Sequence, residues 1–229
     1  MSDDFDGEPI HGLPQRPPAG ERILWQGAPQ WRATALRTFH VRKVAAYFAV
    51  LFAWGVLDAL IDGETGSAAL LGSLKVLPVG LLVIGALAGL AAIVARTTVY
   101  TITTQRVVMR FGIALPMAVN FPFRLVAGAA IKDWPDGSGN IPLKLHRGAR
   151  VGYVVMWPHV RPWHLAQPQP MLRGIADVRQ VAATLARALV EAEPALAAQA
   201  AQAEVRAGTG APPGAGRPGS GTGQATAAA

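Results

Sequence analysis

The sequence contains no cysteine and few charged residues. Cysteine is absent from all 229 residues, which excludes disulfides, cysteine-ligated zinc and thiol catalysis. Charged residues make up 15% of the chain and hydrophobic residues 51%. Because a soluble domain carries about 25% charged residues, part of this chain is predicted to lie in lipid.

Recognisable catalytic motifs are also missing. The sequence holds no Walker loop, GxGxxG, HExxH or nucleophile elbow, and no serine has a base nearby. His159 and His164 stand five apart in WPHVRPWH, but the prolines favour extended backbone and no third ligand is close. These two histidines are predicted to be surface or aromatic-packed residues. We expect a non-enzymatic protein with no catalytic residues, no metal and no other cofactor.

Two long apolar runs predict a transmembrane helical hairpin. Residues 44–61 carry Asp58 as their only charge, and residues 77–95 carry none. A helix of about 18 residues spans roughly 27 Å, enough for the hydrocarbon core of a bilayer. The polar stretch 62–76 between the runs is predicted to be a short periplasmic loop.

Basic residues flank both runs on one side of the hairpin. Arg42 and Lys43 precede the first run and Arg96 follows the second, while the connecting segment has one lysine and two acids. By the positive-inside rule both termini are predicted to lie in the cytoplasm and the connecting loop outside, with Arg42, Lys43 and Arg96 as anchoring residues.

A GxxxG spacing occurs in the second run. Gly85 and Gly89 can let two helices approach closely. The prediction is packing against the first span of the same chain, and the alternative is a contact in a homodimer.

Residues 97–193 show the period-two alternation of β-strands followed by an amphipathic helix at 177–193. TTVYTIT, RVVMRFG, IPLKLH and VGYVVMWP are predicted to be strands. Residues 113–131 are apolar, but Pro116, Pro122 and Arg124 argue against a third span. The pattern predicts a small antiparallel β-barrel or sandwich closed by a helix.

The two ends of the chain lack apolar periodicity. Residues 1–43 are predicted to be a cytoplasmic arm, mobile at its start, with a short strand within GERILWQGAPQW. Residues 194–229 are predicted to be a disordered tail rich in alanine, glycine and proline.

The domain at 97–193 is basic, with eleven basic residues against five acidic ones. A domain tethered at a membrane meets anionic lipid or an acidic partner before nucleic acid, so no nucleic-acid binding is expected. The loop KLHRGAR is predicted to face headgroups or a partner, with an ordinary solvated turn as the alternative. The residues predicted to make contacts are Arg106, Arg110, Lys144, Arg147 and Arg150.

Five stretches together carry a family resemblance. GERILWQGAPQW, FHVRKVAAYF, YTITTQRVVMRFGIALPMAVNFPF, GNIPLKL and WPHVRPWHLAQPQPMLR resemble the PuhB-type photosynthetic complex assembly proteins of purple bacteria. YTIT and RVVMRFG alone also resemble bacterial membrane-anchored pleckstrin-homology-like domains, which more often have Asn where Thr104-Gln105 precedes Arg106.

The resemblance implies an α+β membrane protein, in which a two-helix transmembrane hairpin is followed by a pleckstrin-like antiparallel barrel with a C-terminal helix. It implies an assembly factor for the photosynthetic reaction centre and its core light-harvesting complex. The expected partners are subunits of those complexes and anionic membrane lipids, with a homodimer as a further possibility. The alternative function is a tethered pleckstrin-like domain that binds anionic lipid or another membrane protein and is unrelated to photosynthesis.

Overall fold

The structure is a computed structural model that describes residues 12–13, 15–113, 115–146, 148–149 and 151–209. The residues up to Ala192 form one compact unit, and those from Glu193 onward form a second. The helices are α1 (Trp31–Ala33), which continues as a π-helical turn at Thr34–Thr38, α2 (Val41–Ile61), α3 (Gly66–Ser73), α4 (Val76–Thr97), α5 (Tyr153–Met156) and α6 (Val178–Thr209).

The two predicted apolar helices are present. Val41–Ile61 and Gly66–Thr97 are long and apolar enough to cross a membrane, by length and composition. Most side chains of α2 are exposed and none is buried within the described chain. The rejection of a third span at 113–131 is confirmed, because the described residues of this stretch form short strands and a 3-10 turn.

The segment 62–76, predicted to be a loop, contains the helix α3. Its sequence GSAALLGS is rich in alanine and leucine, which favour helix. Ala69 is fully buried, and the Ser73 hydroxyl donates to the Ala69 carbonyl over 2.9 Å. The helix packs against α2, where Ser73 lies beside Gly55.

The prediction that Gly85 and Gly89 bring the two spans of one chain together is wrong. Both glycines are exposed, and a methyl group added to either would meet no described atom within 4 Å. Gly80 takes that role, because a methyl group there would lie 3.0 Å from the Phe48 ring. The spacing marks a small-residue face of α4 but does not say which way that face points.

The first sheet joins the N-terminal segment to the chain that follows α4. Its order is β1-β2-β3-β4 and all three pairings are antiparallel. Val99 pairs with Arg110, so the turn after β3 lies at the end of the sheet where α4 enters. The strands are β1 (Ile23–Gly27), β2 (Val99–Thr103), β3 (Arg106–Phe111) and β4 (Met117–Pro122).

The second sheet is built around one central strand. β5 and β6 pair one after the other with the same edge of β7, and β8 pairs with the opposite edge. Bulges interrupt the β7 pairings with β5 and with β8. The strands are β5 (Val126–Ala129), β6 (Lys132–Asp133), β7 (Gly139–Leu145) and β8 (Met171–Ile175).

The predicted closed barrel is wrong, because the two sheets are open. A 3-10 turn, Phe123–Leu125, separates β4 from β5, and no hydrogen-bonded pairing joins the two strand sets among the described residues. The other predicted alternative, an antiparallel sandwich, agrees with this arrangement. Side chains of both sheets share one core with α6, including Ile102, Val108, Ile141, Leu172 and Leu185, each almost fully buried.

Three further expectations need correction. VGYVVMWP was predicted to be a strand, but it holds the short helix α5, with Val154 and Val155 exposed. α6 runs to Thr209, so the start of the predicted disordered tail is helical, and residues 210–229 lie outside the described residues. The mobile arm begins with residues 1–11, which also lie outside them, but Leu13 is buried.

Candidate binding groove

A groove of about 720 Å³ lies beside the N-terminal end of α2. Its walls come from the residues just before α2, from β6, β7 and β8 with their flanks, and from the segment 153–164. No carboxylate lines the groove within the described part of the chain. Its polar walls carry Arg37, Lys132, Arg161, Arg173, His40 and His164, and its aromatic walls carry Trp134, Tyr153, Trp157 and Trp163.

The groove brings together three of the stretches that carry the family resemblance. His40 of FHVRK lines it, as do Asn140 and Pro142 of GNIPLKL and six residues of WPHVRPWH, which stands more than a hundred positions after His40. The Phe39 and Trp157 rings meet edge to face with centroids 6.0 Å apart. Edge-to-face pairs of this kind stabilise a contact beyond the area they bury.

Prolines shape the far wall of the groove. Pro158, Pro162 and Pro170 prevent the segment from joining a helix or a central strand. The loop is closed at its base, where the Arg161 amide donates to the Gln169 carbonyl over 2.8 Å. The closed loop places Trp163 and His164 side by side at the edge of the groove.

A buried hydrogen-bond network fixes this wall to the end of α4. The His159 side chain is 2% exposed, with Nδ1 2.7 Å from the Tyr100 hydroxyl and Nε2 3.2 Å from the Thr98 hydroxyl. The Arg173 amide donates to the Tyr100 oxygen over 3.3 Å. We therefore assign the Tyr100 hydroxyl as donor to Nδ1, which leaves Nε2–H to donate to Thr98.

Burial determines how this network titrates. It lowers the pKa of His159 to about 3, with the nearby Arg173 charge as a second cause. Burial likewise raises the pKa of the Tyr100 hydroxyl. At neutral pH both side chains are uncharged, so they act as a structural clamp rather than as acid and base.

Arg173 places a cation on the inner wall of the groove. Its guanidinium donates to the Val160 carbonyl over 2.9 Å and to the Thr38 hydroxyl over 3.2 Å. Its Nε is buried and has no hydrogen-bond partner among the described residues. Burial lowers the pKa of Arg173, but a guanidinium keeps its proton in proteins, so the charge stays.

Arg37 joins the helical turn before α2 to the turn before β7. It forms an ion pair with Asp136 at 2.8 Å, donates to the Ser138 hydroxyl and lies 4.0 Å from the centre of the Trp134 ring. The Arg37 hydrogen bond is the main cause that lowers the pKa of Asp136. Part of the Arg37 charge is therefore neutralised, and Lys132, Arg161 and Arg173 carry more of the groove's positive charge.

Comparison with known proteins assigns the chain to a family. The family described as Bacterial PH domain matches residues 48–189, from within α2 to within α6. The chain belongs to the bacterial PH domain family. A Rhodobacter capsulatus protein, named as an uncharacterized 23.7 kDa protein in the puhA 5′ region, is 38% identical over 192 residues, covering 82% of this chain and 89% of that protein. No solved structure matches the chain.

Three of the five predicted contact residues of this bacterial PH domain protein lie in the described part of the chain, and none of the three lines the groove. Arg106 is held by Glu21 through two hydrogen bonds of 2.8 and 2.9 Å, and Arg110 is buried in β3. Lys144 is exposed at the end of β7, away from the groove lining. Arg147 and Arg150 lie outside the described residues.

The predicted anchoring residues are all accessible. Arg42 and Lys43 are exposed in the first turn of α2, and Arg96 is exposed in the last turn of α4. His159 has the predicted aromatic packing, with the Phe111 ring centroid 5.0 Å away. In the residues that the structure describes, no group of three or more histidines or carboxylates is placed to hold a metal ion.

Sequence reasoning missed Arg37, Lys132, Arg161 and Arg173 as a group. They come from four separate segments, and only the fold brings them together. The available signal was the density of tryptophan and arginine in WPHVRPWH, a composition typical of binding surfaces.

Proposed function

We propose that this bacterial PH domain protein is a non-enzymatic, membrane-bound assembly factor for the photosynthetic reaction centre and its core light-harvesting complex. The observation that carries the proposal is the 38% identity to a protein named for the puhA 5′ region. That name shares its prefix with the PuhB-type family which the sequence resembles. The match covers most of both chains, so it concerns the whole arrangement rather than one motif.

The proposed topology is a double-pass inner-membrane protein with both termini in the cytoplasm. Arg42 and Lys43 begin α2 and Arg96 ends α4, which puts three exposed cations on the same side of the hairpin. This is the distribution that the positive-inside rule assigns to the cytoplasmic face. Exposed lysines and arginines there also attract anionic headgroups.

The groove is the proposed docking site for a partner subunit. Lys132, Arg161 and Arg173 favour carboxylates, while Trp134 and Trp157 favour aromatic or aliphatic side chains. The fitting partner is a membrane-proximal segment that carries both kinds of group. Because hairpin and partner share one membrane, even a weak contact is occupied at the resulting local concentration.

The test is a deletion in the native host, complemented from a plasmid. We expect deletion to lower the reaction-centre and core-antenna absorption bands severalfold, and the wild-type gene to restore them. The groove variant K132Q/R161Q should restore them poorly. The matched control R22Q/R187Q removes the same charge from exposed positions outside the groove and should restore them fully.

Two outcomes separate the parts of the proposal. Normal reaction-centre and antenna absorption after deletion would reject the assembly function. A normal rescue by K132Q/R161Q, with wild-type protein levels in the membrane, would reject the groove as the docking site while leaving the assembly function in place.

A further inference from the structure

Exposed apolar side chains lie on the segment 153–165, which also contributes Trp157 and Trp163 to the groove, whereas Val154, Val155 and Leu165 lie outside the groove lining. Val154 is 85% exposed and Leu165 is 67% exposed, and Val155 is exposed beside them. Trp163, on the rim of the groove, is 91% exposed. Several large apolar side chains exposed on one short segment are typical of a contact with a partner or a membrane.

The segment is fixed to the start of the first apolar helix. The Trp157 ring packs edge to face against Phe39, which is separated from α2 only by His40. Between Val41, where α2 begins, and Val44, where the uncharged run begins, the helix rises about 4.5 Å. The headgroup zone of a leaflet is about 5–8 Å deep, so Phe39 and Trp157 fall at its depth.

The segment is fixed independently to the end of the second apolar helix. Thr98 follows α4 directly, and its hydroxyl lies 3.2 Å from His159 Nε2. His159 is two residues from Trp157 and four from Trp163. The 153–165 segment is therefore held at both helix ends that face the same side of the hairpin.

We propose that the 153–165 segment inserts Val154, Val155, Trp163 and Leu165 into the interface of the leaflet that the two helices leave, as a third membrane contact. This inference rests on the proposed membrane-spanning topology. Tryptophan is favoured at headgroup depth, where its ring is partly apolar and its N–H stays hydrated.

A second turn points to the lipid surface rather than to a protein partner. The turn between β3 and β4 lies at the end of the first sheet where α4 enters, because Val99 pairs with Arg110. It exposes Ile113 and Leu115, the latter 82% exposed. Two unrelated segments with exposed apolar side chains at the same end of the domain fit one broad apolar phase.

The chain has no cysteine, so single cysteines can carry a spin label in the full-length protein. We would label V154C and L165C in vesicles of phosphatidylethanolamine and phosphatidylglycerol, and compare collisions with oxygen and with a water-soluble nickel chelate. The control is Q105C, which is exposed in the β2–β3 turn. The five-residue strand β2 separates this turn by about 17 Å from the end of the sheet where α4 enters. V50C, exposed on α2, reports on spanning itself.

We expect the ratio of oxygen to nickel collisions at V154C and L165C to exceed that at Q105C severalfold and to stay below that at V50C. Ratios at V154C and L165C equal to that at Q105C, with a high ratio at V50C, would overturn the inference and leave the spanning topology intact. A fall in nickel collisions at V154C and L165C that appears only after photosynthetic membrane subunits are added would also overturn the inference, in favour of a protein partner. A low ratio at V50C would reject both the topology and the inference.

Discussion

Replacing His159 by glutamine should remove most of the acid sensitivity of the domain between pH 7 and pH 5. His159 is buried and neutral in the folded chain, with a pKa of about 3 against 6.5 for an unperturbed histidine. The unfolded chain takes up a proton below pH 6.5 and the folded chain does not. Stability is therefore fully present above pH 6.5 and is lost as the pH falls toward 3.

The size of the loss follows from the two pKa values. One pH unit corresponds to about 1.4 kcal/mol, so the wild-type domain should lose about 2 kcal/mol of unfolding free energy between pH 7 and pH 5. Asp133 and Asp136, whose pKa values their arginine partners lower, begin to contribute only as the pH approaches the ordinary aspartate value of 3.8. The pH 5–7 window therefore isolates histidine.

The assay is urea unfolding of the full chain in a non-ionic detergent, followed by tryptophan fluorescence at pH 7, 6 and 5. H159Q should be less stable at pH 7, because it replaces the ring that bonds Tyr100 and Thr98, but its stability should change little down to pH 5. H164Q, at a half-exposed histidine, is the control and should keep the wild-type slope. If the unfolding free energy of H159Q fell between pH 7 and pH 5 as steeply as that of the wild type, the reasoning would be refuted.

Two packing predictions concern other parts of the chain. E21Q should lower the unfolding free energy by about 1–3 kcal/mol in the same assay, because the Arg106 guanidinium loses a carboxylate whose side chain is 1% exposed; an unchanged midpoint would contradict this. G80L should lower the resistance of the apolar hairpin to sodium dodecyl sulfate, followed by circular dichroism, because its side chain meets Phe48, at a cost of about 1–3 kcal/mol. G85L, with open space around it, should have no such effect, and equal losses in both variants would contradict the packing of α4 on α2.

Local patterns in the sequence were sufficient for the apolar helices and for four of the eight strands in the described residues, β1, β2, β3 and β7. Uncharged runs identify α2 and α4, and strict alternation identifies β2 and β3, because each signal is repeated over several residues. The strand predicted at 151–158 fails for a local reason. Its valines are β-branched, which favours strands, but Val154 and Val155 are largely exposed, so burial in a sheet does not stabilise a strand there and α5 forms instead.

Long-range geometry could not be obtained from one sequence. Arg37 and Arg173 meet in one groove because β8 pairs with β7 and the turn before α2 packs beside it, and no spacing encodes that approach. The charge of Arg106 suggested a contact surface, yet burial of Glu21 makes it structural. Net charge shows how many cations a domain has, while the fold decides which of them reach solvent.

The direct junction between the second apolar helix and the first sheet has a consequence for the proposed docking. Thr98 alone separates α4 from β2, whereas a flexible linker would let the domain reach about 5–6 Å multiplied by the square root of the number of linker residues. In the proposed membrane topology, a domain without such a linker would turn with its helix, and its groove would stay at one height above the bilayer. The proposed partner would then be selected first by the depth at which it presents its segment, and only then by its chemistry.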